Sequence, residues 1–157
     1  MAYWLMKSEP SEVSVDDVLR RPGQSVDWFG VRNYQARNYM MRDMKVGDGV
    51  LFYHSSCPQP GVAGLAEVSR LAIPDETQFD PASPYYDPKA SRDRPRWYNV
   101  EVRIVKKTPL LPLAALRNEP TLQEMRLLAR GNRLSITPVT PAEWEVVLGL
   151  ISAASGG

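Results

Sequence analysis

The chain opens on an apolar cluster, Tyr3-Trp4-Leu5-Met6, too short for a helix and aromatic enough for a strand. Ser14 then stands before Asp16 and Asp17. A hydroxyl that caps free N–H groups, followed by acids at the positive end, predicts a helix start. Arg21-Pro22-Gly23 ends that helix. Trp28 to Arg32 reads as a loop, and Asn33 to Met41 as a helix with Arg37 one turn beyond Asn33. Val46-Gly47-Asp48-Gly49 predicts a turn and Val50-Leu51-Phe52-Tyr53 a strand. Val62 to Ile73 predicts a long strand interrupted by Gly64.

Regular patterning stops between Pro74 and Pro95, where Pro81, Pro84 and Pro88 also fall. A loop of that length in a compact domain is usually functional. Trp97 to Val105 alternates as a strand does, while Leu113–Arg117 and Thr121–Arg130 read as helices, the second stopped by Gly131-Asn132. Leu134 to Val139 is a last strand. Pro141 to Leu150 is a closing helix, its proline in the first turn where the missing N–H costs nothing. About five strands, several separated by helices, predict an α+β fold: a small mixed sheet or barrel with helices outside. No repeat or linker divides the 157 residues, so a single domain is expected over 1–157, with its core at about 3–148.

Composition narrows the classes. Apolar residues at 43% and charged residues at 24% describe an ordinary globular chain. No apolar run reaches membrane-spanning length, and Met1 to Met6 is too short and aromatic for a signal peptide. A lone Cys57 excludes an internal disulfide and a cysteine zinc cluster. These features point to the cytoplasm and to no membrane partner. The net charge of +1 argues against gripping long nucleic-acid stretches by electrostatics alone. Yet fourteen arginines stand against five lysines, and arginine suits bidentate phosphate contacts and stacking on bases. A GC-rich genome would produce the same bias.

Nothing in the chain resembles a catalytic constellation. His54 is the only histidine, there is no HxxxH, CxxC or Walker loop, and no cofactor or metal is implied. His54 with Ser55 or Cys57 is conceivable as an enzymatic site, but sequence neighbours rarely provide such geometry. What the chain offers instead is aromatic and polar residues at loop and strand ends. Trp28 and Phe29 precede Gly30, Arg32 and Asn33 sit at a helix start, Tyr53-His54-Ser55 ends a strand, and Tyr85-Tyr86 lies in the long loop. A nucleic-acid base needs such a site: flat faces to stack on and a few donors and acceptors for its edge. Each residue has a plain structural use as well. Trp28 and Tyr53 suit a core, His54 a structural hydrogen bond, and Arg92 to Arg96 a solvated run; Trp4, Trp97 and Trp144 have the pattern of core residues.

The specific strings carry more than composition does. Lys7-Ser8-Glu9-Pro10, Trp28-Phe29-Gly30-Val31-Arg32-Asn33-Tyr34, Phe52-Tyr53-His54-Ser55, Gly61-Val62-Ala63-Gly64, Tyr85-Tyr86-Asp87-Pro88 and Leu134-Ser135-Ile136-Thr137-Pro138-Val139 resemble the EVE domain family, in the family's order and over nearly the whole chain. The resemblance implies a PUA-like fold, a mostly antiparallel, barrel-like sheet flanked by helices, and kinship with YTH readers of methylated adenine. It implies a non-enzymatic module reading modified bases, including modified cytosines, in DNA or RNA.

Carried over by position, the resemblance makes Trp28 the cage tryptophan, with Gly30, Val31 and Arg32 beside it and Asn33 the polar reader after it. It gives Lys7 and Ser8 one strand end, Tyr53, His54 and Ser55 the other, and Leu134 and Ser135 the closing segment; Tyr85 and Tyr86 are candidates for the facing wall. Lys7, Arg32 and Arg37 are the expected phosphate contacts. Two other readings stay open: the enzyme through His54, and a pocket for a small molecule or protein partner.

Overall fold

The structure is a computed structural model and describes residues 1–156. Six strands form one sheet: β1 (Tyr3–Ser8), β2 (Ser25–Asp27), β3 (Gly49–His54), β4 (Gly61–Pro74), β5 (Tyr98–Pro112) and β6 (Ile136–Val139). Their order across the sheet is β2-β5-β4-β3-β1-β6. Only the β1–β3 pair is parallel; the others are antiparallel. The α+β, mostly antiparallel expectation therefore holds. The barrel-like closure does not appear in the pairing, since β2 and β6 end the order without joining.

Four helices surround the sheet: α1 (Val15–Leu19), α2 (Tyr34–Asn38), α3 (Leu113–Arg117) and α4 (Pro141–Gly156). Ser14 caps α1 in a capping box with Asp17, as its position in the sequence suggested. Asn33 caps α2, accepting from the Ala36 N–H at 3.0 Å, and a π-helical turn (Tyr39–Asp43) continues it.

Alternation along β1 and β3 sorts side chains into two cores, because neighbouring residues on a strand point to opposite faces. Trp4, Met6, Val50 and Phe52 join one cluster together with Val15 and Val18 of α1, Ala36 of α2, and Trp28. Leu5, Leu51 and Tyr53 join the other, with Leu116 of α3 and Val147 of α4. With both faces covered, β3 reads as continuous apolar sequence, which hides its alternation.

Three expectations need correction. Thr121–Arg130 is not a helix but two short 3-10 turns, Pro120–Leu122 and Arg126–Leu128, separated by Met125 in extended conformation. Leu122, Met125 and Leu127 all face the core, and that spacing breaks helical register. The strand at Trp97–Val105 starts at Tyr98 and continues to Pro112, paired along β4 through several register shifts. The short β2 precedes the Trp28 loop and pairs with β5, where no strand was expected.

Candidate functional site

Because β1 and β3 are parallel, their C-terminal ends open on the same edge of the sheet, where crevices form in α/β sheets. Lys7 and Ser8 at the end of β1, and Ser55 and Ser56 just past β3, line a cavity of about 380 Å³ there. The segment leaving β2 supplies Trp28, Phe29 and Gly30, and the long loop supplies Tyr85. Arg133 and Ser135, on the approach to β6, and Glu9 and Glu12, after β1, also line it.

Trp28 serves the core and the cavity at once. It is 7% exposed and meets Phe52 edge to face at 5.3 Å. Its backbone N–H donates to the Val100 carbonyl at 2.8 Å. Its indole N–H has no partner among the described residues, yet it is not one of the sealed, unpaired polar atoms, which are only Thr108 Oγ1 and Thr137 Oγ1 there. That N–H is therefore not sealed from solvent, on a residue that lines the cavity, and is a candidate donor for a ligand acceptor.

Tyr85 is seated by the absence of a side chain. Gly30 has φ +80°, and a Cβ built on it would lie 2.8 Å from the Tyr85 ring. Glycine alone meets both conditions. Phe29 packs edge to face on the same ring at 5.8 Å. The Tyr85 hydroxyl donates to Glu12 Oε2 at 2.6 Å. Burial, then that hydrogen bond and the nearby charges of Glu12 and Glu9, push its pKa up to about 12.

Lys7 takes part in none of the described ion pairs. Burial holds its ammonium below the usual lysine range. It is a cavity-lining cation without a counter-ion, suited to a ligand acceptor. The Ser8 hydroxyl is already committed, donating to the Val13 carbonyl at 2.6 Å.

Arg32 lines the cavity but has no free donor. Its five N–H groups go to the Tyr85 carbonyl twice, the Val31 carbonyl, Asp75 Oδ2 and Thr77 Oγ1. Asp75 also accepts from the Gly30 N–H at 2.8 Å, and its side chain is 1% exposed. This network fixes the Trp28 loop to the long loop, so Arg32 braces the site and cannot also clamp a phosphate. Arg37 is similarly engaged, donating to the Arg96 carbonyl at 3.0 Å and to Asn38 Oδ1. Its guanidinium lies 4.7 Å over the Tyr34 ring.

Other expected residues fall outside the cavity. Asn33 spends its side-chain oxygen on the α2 cap. Tyr53, 2% exposed, belongs to the core on the other face of the sheet. His54 Nε2 accepts from the Val15 N–H at 3.1 Å and, with Cys57, lines a separate cleft. Burial lowers the His54 pKa, which suits an acceptor nitrogen. Ser55 lines the main cavity, so the conceivable His54–Ser55 partnership is split between two sites. Tyr86 is 41% exposed and does not line the cavity, and neither does Leu134, although its neighbour Ser135 does. Lys7, Ser8, Trp28, Gly30, Val31, Arg32, Ser55, Tyr85 and Ser135 are the expected residues that come together.

Sequence reasoning missed Glu9, Glu12, Ser56 and Arg133 among the lining residues. Glu9 lies inside the quoted string Lys7-Ser8-Glu9-Pro10 without a role assigned to it, Ser56 follows Ser55, and Arg133 immediately precedes Leu134. Extending the Ser55 and Leu134 strings by a residue would have included Ser56 and Arg133.

The EVE domain family model matches residues 2–150. Human thymocyte nuclear protein 1 is 41% identical over 167 residues, covering 95% of this chain and 73% of that protein. A crystal structure of a Pseudomonas putida protein superposes with a TM-score of 0.90 at 50% identity, covering 95% of this chain and 99% of that one. The crystal structure of the human THYN1 protein in complex with 5-methylcytosine-containing DNA superposes with a TM-score of 0.89 at 42% identity, covering 96% of this chain and 97% of that one. On that match, over nearly its whole length, the chain belongs to the EVE domain family.

Proposed function

We propose that this protein is a non-catalytic nucleic-acid-binding module whose cavity takes in one modified base, with a modified cytosine in DNA as the favoured occupant. The observation that carries the proposal is the indole N–H of Trp28, unpaired and unsealed on a residue that lines the cavity together with Tyr85. At about 380 Å³ the cavity suits a small ligand group, and the aromatic residues Trp28, Phe29 and Tyr85 line it. A cytosine presents an amino donor and ring acceptors on its pairing edge. Carboxylates such as Glu9 suit the amino group, and the Trp28 N–H and Lys7 ammonium suit the acceptors.

A relative at 42% identity has been solved with 5-methylcytosine-containing DNA, which favours this class of ligand. The enzyme reading through His54 with Ser55 is disfavoured, and His54 with Cys57, although they share a cleft, lies away from the main cavity. The His54 acceptor nitrogen is already used by the Val15 N–H, and His54 lies in another cleft.

The test is a binding screen at fixed salt. DNA and RNA oligonucleotides carry one modified cytosine, the unmodified base, or an abasic position at the same place. The expected order is modified over unmodified over abasic. Equal binding of all three would count against base uptake and favour a small-molecule or protein ligand.

A further inference from the structure

A base delivered to the cavity brings its phosphodiester to the cavity mouth, so a cation with free donors should stand there. Arg32 has spent all five of its N–H groups within the protein, and Arg37, with three of its five engaged, does not line the cavity. Arg133 combines what each of them lacks. It lines the cavity, it is exposed, and it makes no side-chain hydrogen bond or ion pair among the described residues. Its backbone is nevertheless held. Asn132 Nδ2 donates to the Arg126 carbonyl at 2.9 Å, and the Leu134 N–H donates to Asn132 Oδ1 at 3.1 Å. Two residues on, the Ser135 carbonyl accepts from the Lys7 N–H at 2.8 Å, which ties the segment to β1 at the cavity. From Arg126 to Thr140 the sequence holds three arginines and no acid, so no neighbour along the chain cancels their field.

We infer that Arg133 is the phosphate-holding residue at the mouth of this pocket, a role for which Arg32 has no free donor and Arg37 no place in the lining. The inference rests on the base-binding reading above. A braced backbone carrying a free guanidinium suits bidentate capture of a phosphate. Such a contact adds affinity without reading the base.

Fluorescence anisotropy tests this with DNA duplexes carrying one 5-methylcytosine or one cytosine, over a range of salt. Arg133→Gln should bind both duplexes on the order of five-fold more weakly near 0.15 M salt, and its salt slope should fall by about one. Its melting temperature should match wild type, because the side chain has no partner in the free protein. Arg133→Lys should recover most of the affinity. Wild-type affinity and slope in Arg133→Gln would overturn the inference and leave the base-binding reading standing. So would loss of discrimination between the duplexes at unchanged slope, because Arg133 would then be reading the base. Failure of wild-type protein to bind either duplex would overturn both.

Discussion

The Tyr85 hydroxyl donates to Glu12 Oε2 across 2.6 Å, joining the long proline-rich loop to the segment between β1 and α1. Residues 73 apart in sequence thereby close one side of the cavity. The bond requires a protonated hydroxyl, and the folded protein holds that proton up to a pKa of about 12, above the ordinary tyrosine value near 10. A group whose pKa is raised on folding contributes fully below its unfolded pKa and loses that contribution as pH climbs through the folded one.

Tyr85→Phe should therefore destabilise the protein by about 0.5–1 kcal/mol at neutral pH, a modest value because solvent screens the pair. The gap to wild type should shrink between pH 10 and about 12. Melting of both proteins across that range checks this. A gap constant with pH would show that the hydrogen bond does not hold the loop.

Trp28 calls for two substitutions, because it serves two purposes. Trp28→Ala should cost about 3–5 kcal/mol of folding stability, as truncation of a core aromatic does. It therefore cannot report cleanly on binding. Trp28→Phe keeps an aromatic ring against Phe52 and removes the open N–H. We expect it to stay folded and to weaken modified-base binding by about 1 kcal/mol, one hydrogen bond. Unchanged affinity in a folded Trp28→Phe protein would remove the indole N–H from the site.

Arg32→Ala separates bracing from binding. Removing the guanidinium leaves the buried Asp75 carboxylate without its cation, which should cost about 3 kcal/mol or more. Measured below its lowered melting temperature, the variant should keep the wild-type salt slope. A slope reduced by about one would assign Arg32 a phosphate contact after all.

His54 makes a prediction about acid stability. Burial lowers its folded pKa, so the neutral ring's contribution is complete above the unfolded value near 6.5. It is lost as pH falls from there toward the folded pKa. His54→Gln should flatten this part of the stability curve between pH 7 and 5 and leave oligonucleotide binding intact at pH 7.5. Turnover of a nucleoside or oligonucleotide that vanishes in this variant would reinstate the enzyme reading.

Much of the fold was legible where local chemistry decides it. The Ser14 cap, the glycine-flanked turn before β3 and the proline-started α4 follow from nearest neighbours. Lys7 and Ser8 were placed at the pocket by the family resemblance, Ser55 by its strand end as well, and all three line the cavity. Arg32 was misjudged because its side-chain partners Asp75 and Thr77 and the Tyr85 carbonyl lie 43–53 residues away, and no local signal tells a bracing arginine from a free one. Tyr53 suited a core by residue type and was assigned to the pocket only through the family resemblance; the core position is the one it takes, on a strand apolar on both faces. Thr121–Arg130 has helical composition, but Leu122, Met125 and Leu127 are all drawn into the core, and tertiary packing overrides propensity.

Base uptake against Trp28 and Tyr85 is tested most directly by photocrosslinking. An oligonucleotide carries a single 5-iodocytosine, whose iodine stands where a 5-methyl group would be, and the adduct is mapped by mass spectrometry after irradiation of the complex. Base uptake predicts adducts at Trp28 or Tyr85, abolished by an excess of the same oligonucleotide with 5-methylcytosine. Adducts confined to Tyr34 or elsewhere on the surface, from a complex that forms, would contradict it.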